Sequence, residues 1–407
     1  MHIVFLVHRF PVEGISTGGA GNYVANMAQT MSNFGHKVTV ITEADEKNTF
    51  IWKGVEVRKI RATAGFKDNG RPMKTYKKVL KNLARSVAYN REAYLLNKIQ
   101  PIDIIQSVSS YGIPFFRLKK IPYIIRVSEY PPLWSGAVRE NFDFDSCVTA
   151  KRLDESISFK AMQRVDQVLM PSFLMQKLIY ERTGKMGKVI ESPVVLGDID
   201  KLRLAGEEFQ TGEYLVTHGA LTYRKSVHVM RDVIKAFLMK YPDKKFVMIG
   251  RDKELKVGNQ FIWVSDYLRG ELGENASRLV FMGELQDRQR LFSIIKNSYA
   301  CVLPTRIDNL PNSVLEAMAL GKIVISTTSE RGTSVEQLIT DGENGYLAQV
   351  DDLEGLLQKI DIVMSLSEEK RNEIELKALE RMKELTPEKV YYKMMDVYEE
   401  LINRREV

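Results

Sequence analysis

The sequence predicts an α/β protein built from two Rossmann-like, doubly wound domains facing a central cleft. Three observations carry that prediction. The chain has 407 residues, more than one hydrophobic core ordinarily serves. Short, continuous β-branched runs alternate with helical periodicities, the pattern of parallel sheets covered on both faces. The same grammar then restarts in the second half, so there are two such blocks.

In the first block, HIVFLV at residues 2–7 reads as a strand, 21–34 as a helix and HKVTVIT at 36–42 as a second strand. Further strands are expected at 102–107 and 121–127. In the second block, strands are expected at 213–218, 245–249, 278–282, 299–303 and 323–326, with helices at 227–240, 287–297, 312–320 and 334–340. A long amphipathic helix at 387–405 closes the chain. The expected division is 1–195, 196–385 and 386–407, with the boundary near 192–212, where SPVVLGDID runs into a polar stretch.

Composition narrows the function classes. Hydrophobic residues make up 44% and charged residues 27%, as in ordinary folded proteins. No run approaches the ~20 apolar residues that cross a bilayer. The N-terminus lacks the basic region and small-residue cleavage site of a signal peptide and reads as a first strand. Cys147 and Cys301 are the only cysteines, which excludes a disulfide framework or a cysteine-based zinc site. A reducing cytoplasmic location is expected, with attachment at the inner membrane face as a further expectation. The five histidines (His2, His8, His36, His218 and His228) show no metal-ligand spacing.

The net charge of +7 is uneven, with Lys and Arg crowded between Lys53 and Arg91. Within residues 74–99, Tyr76, Leu80, Leu83, Val87, Leu95 and Ile99 recur at near-helical spacing. A stripe of this kind more commonly packs a core, leaving a solvated basic side. The alternative is a helix lying on an anionic membrane surface or drawing in an anionic acceptor. A nucleic-acid partner is not expected, because no recognition motif accompanies the charge.

STGGAGNY at residues 16–23 places glycines ahead of a helix, where backbone can approach a ligand and the helix start favours negative charge. A dinucleotide site, with Glu43 ending the second strand, fits less well. Val24 stands where that fingerprint needs a third glycine, and the glycines lie far beyond the first strand. Gly19 is retained as a phosphate- or acceptor-facing candidate, with a plain helix cap as the alternative.

The richest segment is PTRIDNLPNSVLEAMALGKIVIS, residues 304–326. Pro311 suits a first helical turn and Asn312 and Ser313 a cap, so a helix should begin there. Asp308 then lies in the preceding loop and Glu316 one turn inside. Amides near Asn312, Ser313 and Val314 would form an anion site flanked by two carboxylates. This arrangement suits a nucleotide sugar. The bland alternative is a capped helix bearing an ordinary glutamate.

The segment resembles the E-x7-E region of the retaining family 4 glycosyltransferases of the GT-B fold, with Asp308 in the first acidic position and Glu316 in the second. The resemblance implies that Glu316 holds the nucleotide ribose and Asp308 contacts the donor sugar, with Asn309 and Leu310 in the same binding loop. Asp for Glu is a departure, shorter by one methylene. THGALTYRKS, residues 217–226, resembles the family's basic loop that clamps the donor diphosphate. Lys225 matches its lysine; its arginine would fall near Ala220 and is missing, and Arg224 is the substitute charge. FMGEL, residues 281–285, resembles the place where backbone at Gly283 and Leu285 meets the donor base, or else it is a simple turn. ERGTSVEQLITDGENGYL, residues 330–347, resembles the family's structural glycine turns. A family histidine after the strand at 121–127 is replaced here by Ser128 and Glu129, and Glu129 is either a cleft carboxylate or a loop acid without a role.

What the resemblance implies is transfer of a hexosyl unit from a nucleoside-diphosphate sugar, with retention and without a metal or other cofactor, to a glycan or lipid-linked acceptor. Two rivals stay open: a GT-B sugar-nucleotide epimerase, and a catalytically silent subunit that only binds the nucleotide sugar.

Overall fold

The computed structural model describes residues 1–12, 18–63, 65–66, 73–108, 110–136, 143–149, 153–196 and 212–406. The chain separates into two compact units: residues 1–132, 149–193 and 385–407 form the first, and residues 133–148 and 194–384 the second. The expected boundary near 192–212 falls mostly on residues outside the described set, as do Ser16 and Thr17 of the glycine loop.

Unit 1 is organised on strands β1 (His2–Val7), β2 (Lys37–Glu43), β3 (Asn48–Trp52), β4 (Val55–Ile60), β5 (Ile104–Val108), β6 (Tyr123–Arg126), β7 (Gln167–Met170) and β8 (Lys188–Val189). They lie in the order β3-β4-β2-β1-β5-β6-β7-β8. All pair in parallel except β3 with β4, a hairpin that the sequence reading did not contain. Every residue of β1 is buried, as a central strand covered on both faces requires. Its core is continuous with the helices Gly18–Asn33 and Pro387–Glu406: Met27 and Met31 of the former share a cluster with Val390, Met394, Tyr398 and Leu401 of the latter. Tyr398 also donates its hydroxyl to Gln106 of β5 at 2.6 Å.

The helix Thr75–Ile99 corrects the expectation of a core-packed stripe. Tyr76, Leu80, Val87, Leu95 and Ile99 are exposed, whereas Arg85, Ser86, Tyr89, Asn90, Ala93 and Leu96 are buried. The buried face is held by polar anchors. The Tyr89 hydroxyl donates to the Val7 carbonyl at 2.9 Å, Ser86 Oγ and Asn90 Nδ2 both donate to the Ile113 carbonyl, and Arg85 Nε donates to Glu43. Four side chains that satisfy buried acceptors decide which face turns inward, because an unpaired buried carbonyl is costly.

Unit 2 contains β9 (Tyr214–His218), β10 (Lys245–Ile249), β11 (Glu254–Val257), β12 (Gln260–Trp263), β13 (Leu279–Phe281), β14 (Ala300–Leu303), β15 (Val324–Thr328) and β16 (Tyr346–Gln349). The main sheet is parallel throughout, in the order β13-β10-β9-β14-β15-β16, with β11 and β12 as a separate antiparallel pair. The chain leaves β9 toward β10 on one side and later returns to β14 on the other. The crevice beyond the carboxyl ends of β9 and β14 is therefore the switch point, where open α/β sheets bind ligands. The helix expected at 334–340 is only a single tight turn, Val335–Gln337, because Asn344 then captures the Thr340 amide at 2.8 Å and bends the chain toward β16. Among the described residues no helix is long and apolar enough to cross a membrane.

Candidate functional site

At the switch point of unit 2 two loops meet. The first follows β9. Gly219 has φ of 118°, a conformation open to glycine and strained for other residues, and turns the chain out of the strand. Gly250, after β10, backs this turn so closely that a Cβ there would lie 2.2 Å from the Gly219 carbonyl oxygen. The loop then presents Arg224 and Lys225 before the helix Val227–Lys240. The second loop follows β14 and runs from Pro304 to Pro311. The Arg224 carbonyl joins the two, accepting from the amides of Arg306 at 2.8 Å and Ile307 at 3.3 Å.

This joint brings Lys225 Nζ to 2.5 Å from Asp308 Oδ2. Burial alone would raise the Asp308 carboxyl, but Lys225, Arg224 and the Asn309 amide outweigh it and hold the group below the ordinary range. Burial in turn lowers the Lys225 ammonium, against the pull of Asp308. Both side chains are largely enclosed, 19% and 12% exposed. Arg224 lies over the ring of Trp134 at 4.3 Å; Trp134 belongs to the 133–148 segment, which is part of unit 2, whereas the expected division places it in the first domain.

The helix Asn312–Ala319 begins without a side-chain cap, and its cap residue is Pro311 rather than Asn312 or Ser313. The Val314 and Leu315 amides turn back to the Pro311 carbonyl at 3.0 and 3.2 Å. That corrects the expectation for Val314, whose N–H is consumed by the helix itself. Among the described residues, no hydrogen-bond partner is found for the amides of Asn312 and Ser313, as is usual for the first N–H groups of a helix. Asn309 Oδ1 accepts the Leu310 amide at 2.6 Å, which fixes the loop just before the helix. Ser313, Lys225, Ala220, Thr217, Pro304 and His218 line one small hollow.

Glu316, one turn in, accepts from Arg288 Nη2 at 2.7 Å. His218 Nδ1 lies 4.0 Å from its other oxygen. The imidazole is held down to about pKa 3, first by burial and then by the positive charges of Arg288 and Lys225. It is therefore neutral at pH 7, and its contact with Glu316 is not an ion pair. Its Nε2 is buried with no partner among the described residues. His218 and Arg288 thus join the two halves of the site, and sequence reasoning missed both. His218 could have been noticed as the polar last residue of an otherwise apolar strand at the switch point. Arg288 carries no such signal, since its contact spans 28 residues.

Gly283, with φ of 65°, and Leu285 follow β13, and the Gly283 carbonyl accepts the Gly250 amide at 2.9 Å. The other two candidates belong to unit 1. Gly19 is exposed in the first turn of the helix Gly18–Asn33, and Glu129 is half-buried just beyond β6. Glu43, the residue a dinucleotide would need, is fully engaged by His8 Nδ1 at 2.8 Å, by Thr63 and by Arg85 Nε at 2.8 Å. Burial favours its neutral form, yet these donors hold it ionised down to about pKa 2.

The buried imidazole makes stability pH-dependent. An unfolded chain protonates His218 near its ordinary pKa of about 6.5, while the folded chain resists until about 3. The penalty is absent above that upper value and grows as pH falls below it, by about 2 kcal/mol between roughly pH 7 and 5. Melting curves of wild type and His218→Gln should therefore converge or cross on acidification. Parallel curves would contradict a neutral, buried His218.

Residues 212–382, nearly all of the unit 2 sheet and its helices, match the family model described as "Glycosyl transferases group 1". A phosphatidyl-myo-inositol mannosyltransferase of Mycobacterium tuberculosis is 25% identical over 128 residues, 31% of this chain and 30% of the relative. An uncharacterized glycosyltransferase of Haemophilus influenzae is 24% identical over 200 residues, 47% of this chain and 49% of the relative. The chain thus spans about a third to a half of these curated relatives. Among solved structures, sucrose-phosphate synthase of Thermosynechococcus elongatus aligns over 99% of this chain and 100% of its own, with TM-score 0.74 and 15% identity. A glycosyltransferase of Rickettsia africae aligns over 98% of each chain, with TM-score 0.67 and 15% identity. The fold is therefore that of the GT-B proteins, and the family match over unit 2 supports a glycosyltransferase.

Proposed function

We propose that this chain is a retaining hexosyltransferase that takes its sugar from a nucleoside diphosphate and passes it to a glycan or lipid-linked acceptor. The observation that carries the reading is the Lys225–Asp308 pair at the switch point of the unit 2 sheet, where Lys225 shares a hollow with Ser313 at the start of the helix Asn312–Ala319. A diphosphate placed there meets a lysine, the neighbouring Arg224 and a helix start. Those groups are the charges and dipoles that stabilise it as a leaving group without a metal.

In the proposed reaction the bond between the anomeric carbon and the diphosphate oxygen breaks with its electron pair on the oxygen. The acceptor hydroxyl bonds to the same face of that carbon, and its proton leaves with the diphosphate. Glu316 receives the ribose hydroxyls, Gly283 and Leu285 offer backbone to the base, and Asn309 and Leu310 shape the loop under the sugar. Asp308 meets the sugar and keeps Lys225 in place until the donor arrives. Gly19 and Glu129 are proposed to serve the acceptor from unit 1. The name of the mycobacterial relative supports a lipid-linked acceptor, and one solved neighbour, from E. coli, is described as bound with UDP-2-fluoro glucose, which supports a nucleotide-sugar donor.

Incubating the full chain with UDP-, GDP- and ADP-sugars tests this directly. One donor should release its nucleoside diphosphate slowly with water and faster with an acceptor glycolipid. Binding without release from any donor would instead indicate a silent subunit, and interconversion of the free donor an epimerase.

A further inference from the structure

We propose that the helix Thr75–Ile99 is an interfacial anchor, docking unit 1 flat on an anionic lipid bilayer through its outward face. The helix presents to solvent a face that is both apolar and basic. Tyr76, Leu80, Val87 and Tyr94 are 54%, 52%, 51% and 46% exposed. With Arg91 and Lys98 they follow the spacing 4, 7, 4, 3 and 4, which keeps them on one side of an α-helix. Leu95 and Ile99 continue the apolar surface at the C-terminal end, 43% and 74% exposed.

An exposed apolar stripe of this length needs a partner, and charge identifies it. Lys77, Lys78, Lys81, Arg91 and Lys98 join the buried Arg85 on this helix, and Lys74 precedes it. The one acid, Glu92, is turned toward Arg58 of β4 at 3.5 Å. Protein interfaces are depleted of lysine at their centres. Here Lys98 stands inside the stripe, and Lys77, Lys78 and Lys81 lie on the same helix. Lys98 lies 4.6 Å over the Tyr94 ring, so its chain runs along apolar surface while the ammonium stays at the rim. Tyrosines with flanking lysines are the side chains that settle at a headgroup boundary, and the basic groups are drawn to anionic lipid. At about 1.5 Å per residue the helix offers roughly 37 Å of such surface. The opposite face, tied to unit 1 by Ser86, Tyr89 and Asn90, supplies the rigid backing.

The test is flotation of the full chain with vesicles of phosphatidylcholine alone or phosphatidylcholine mixed with phosphatidylglycerol. Wild type should float with the mixed vesicles at least about tenfold more than with neutral ones, and raising salt should weaken the binding. Leu80→Glu/Val87→Glu, at sites already half exposed, should lose that binding by about tenfold or more. Lys77→Glu/Arg91→Glu/Lys98→Glu should do the same without touching an apolar side chain. Both variants should keep the wild-type melting temperature. Equal flotation of wild type and variants, no flotation of wild type, or a lipid-free dimer dissolved by Leu80→Glu/Val87→Glu would each overturn the proposal. The readout needs no sugar nucleotide, so it stands or falls separately from the transferase reading.

Discussion

Lys225→Ala is expected to lower sugar transfer by about 10²–10³-fold, the usual consequence of removing one preorganised donor from a developing negative charge. The same substitution should also destabilise the protein, because it strands Asp308, whose side chain is only 12% exposed. A buried acceptor left without its partner costs about 1–3 kcal/mol. The two effects separate in the Lys225→Ala/Asp308→Ala double variant. Removing both members of the pair should restore much of the lost stability while transfer stays low. Melting temperature and initial rate, measured on the two single variants and the double, check this. If the double variant regained activity together with stability, Lys225 would be a structural residue.

Glu316→Ala should behave differently. Its partner Arg288 is 52% exposed, so their 2.7 Å ion pair contributes little to stability, within about 1 kcal/mol. That weak hold leaves the carboxylate available to ribose hydroxyls. Losing a hydrogen bond to a charged group costs about 1.5–3 kcal/mol, so the donor KM should rise roughly 10–100-fold. Donor titrations at saturating acceptor, together with melting curves, check the contrast with Lys225. A variant with unchanged donor KM would remove Glu316 from the site.

The two blocks of strands were legible because parallel strands buried on both faces must be nearly all apolar. IVFLV in β1 and KFVMI in β10 can hardly be read otherwise. The turn chemistry places Asp308 before a helix start and Glu316 one turn inside it, whereas Lys225 enters only through the resemblance of residues 217–226 to a diphosphate-clamping loop. The β3–β4 hairpin was not legible. At the sheet edge β3 has no buried residue, β4 beside it mixes buried with half-buried positions, and the mixed polarity of KNTFIW (47–52) gives no strong period. The inward face of the helix Thr75–Ile99 was hidden for a different reason. Periodicity locates a stripe of apolar residues but says nothing of Tyr89 or Asn90 reaching carbonyls on Val7 and Ile113, and those bonds fixed the orientation. His218 and Arg288 escaped notice because their electrostatic link to Lys225 and Glu316 exists only once β9, β14 and their following helices are assembled.

The account depends on a diphosphate being held by Lys225 and the first amides of the helix that carries Glu316. Calorimetric titration of the wild type and the Lys225→Ala/Asp308→Ala variant with UDP, GDP and ADP measures that grip without any acceptor. Wild type should bind one of the three, and the variant should bind that nucleotide at least about tenfold more weakly, as the loss of a charge-assisted hydrogen bond requires. Equal affinity in both proteins would contradict the account.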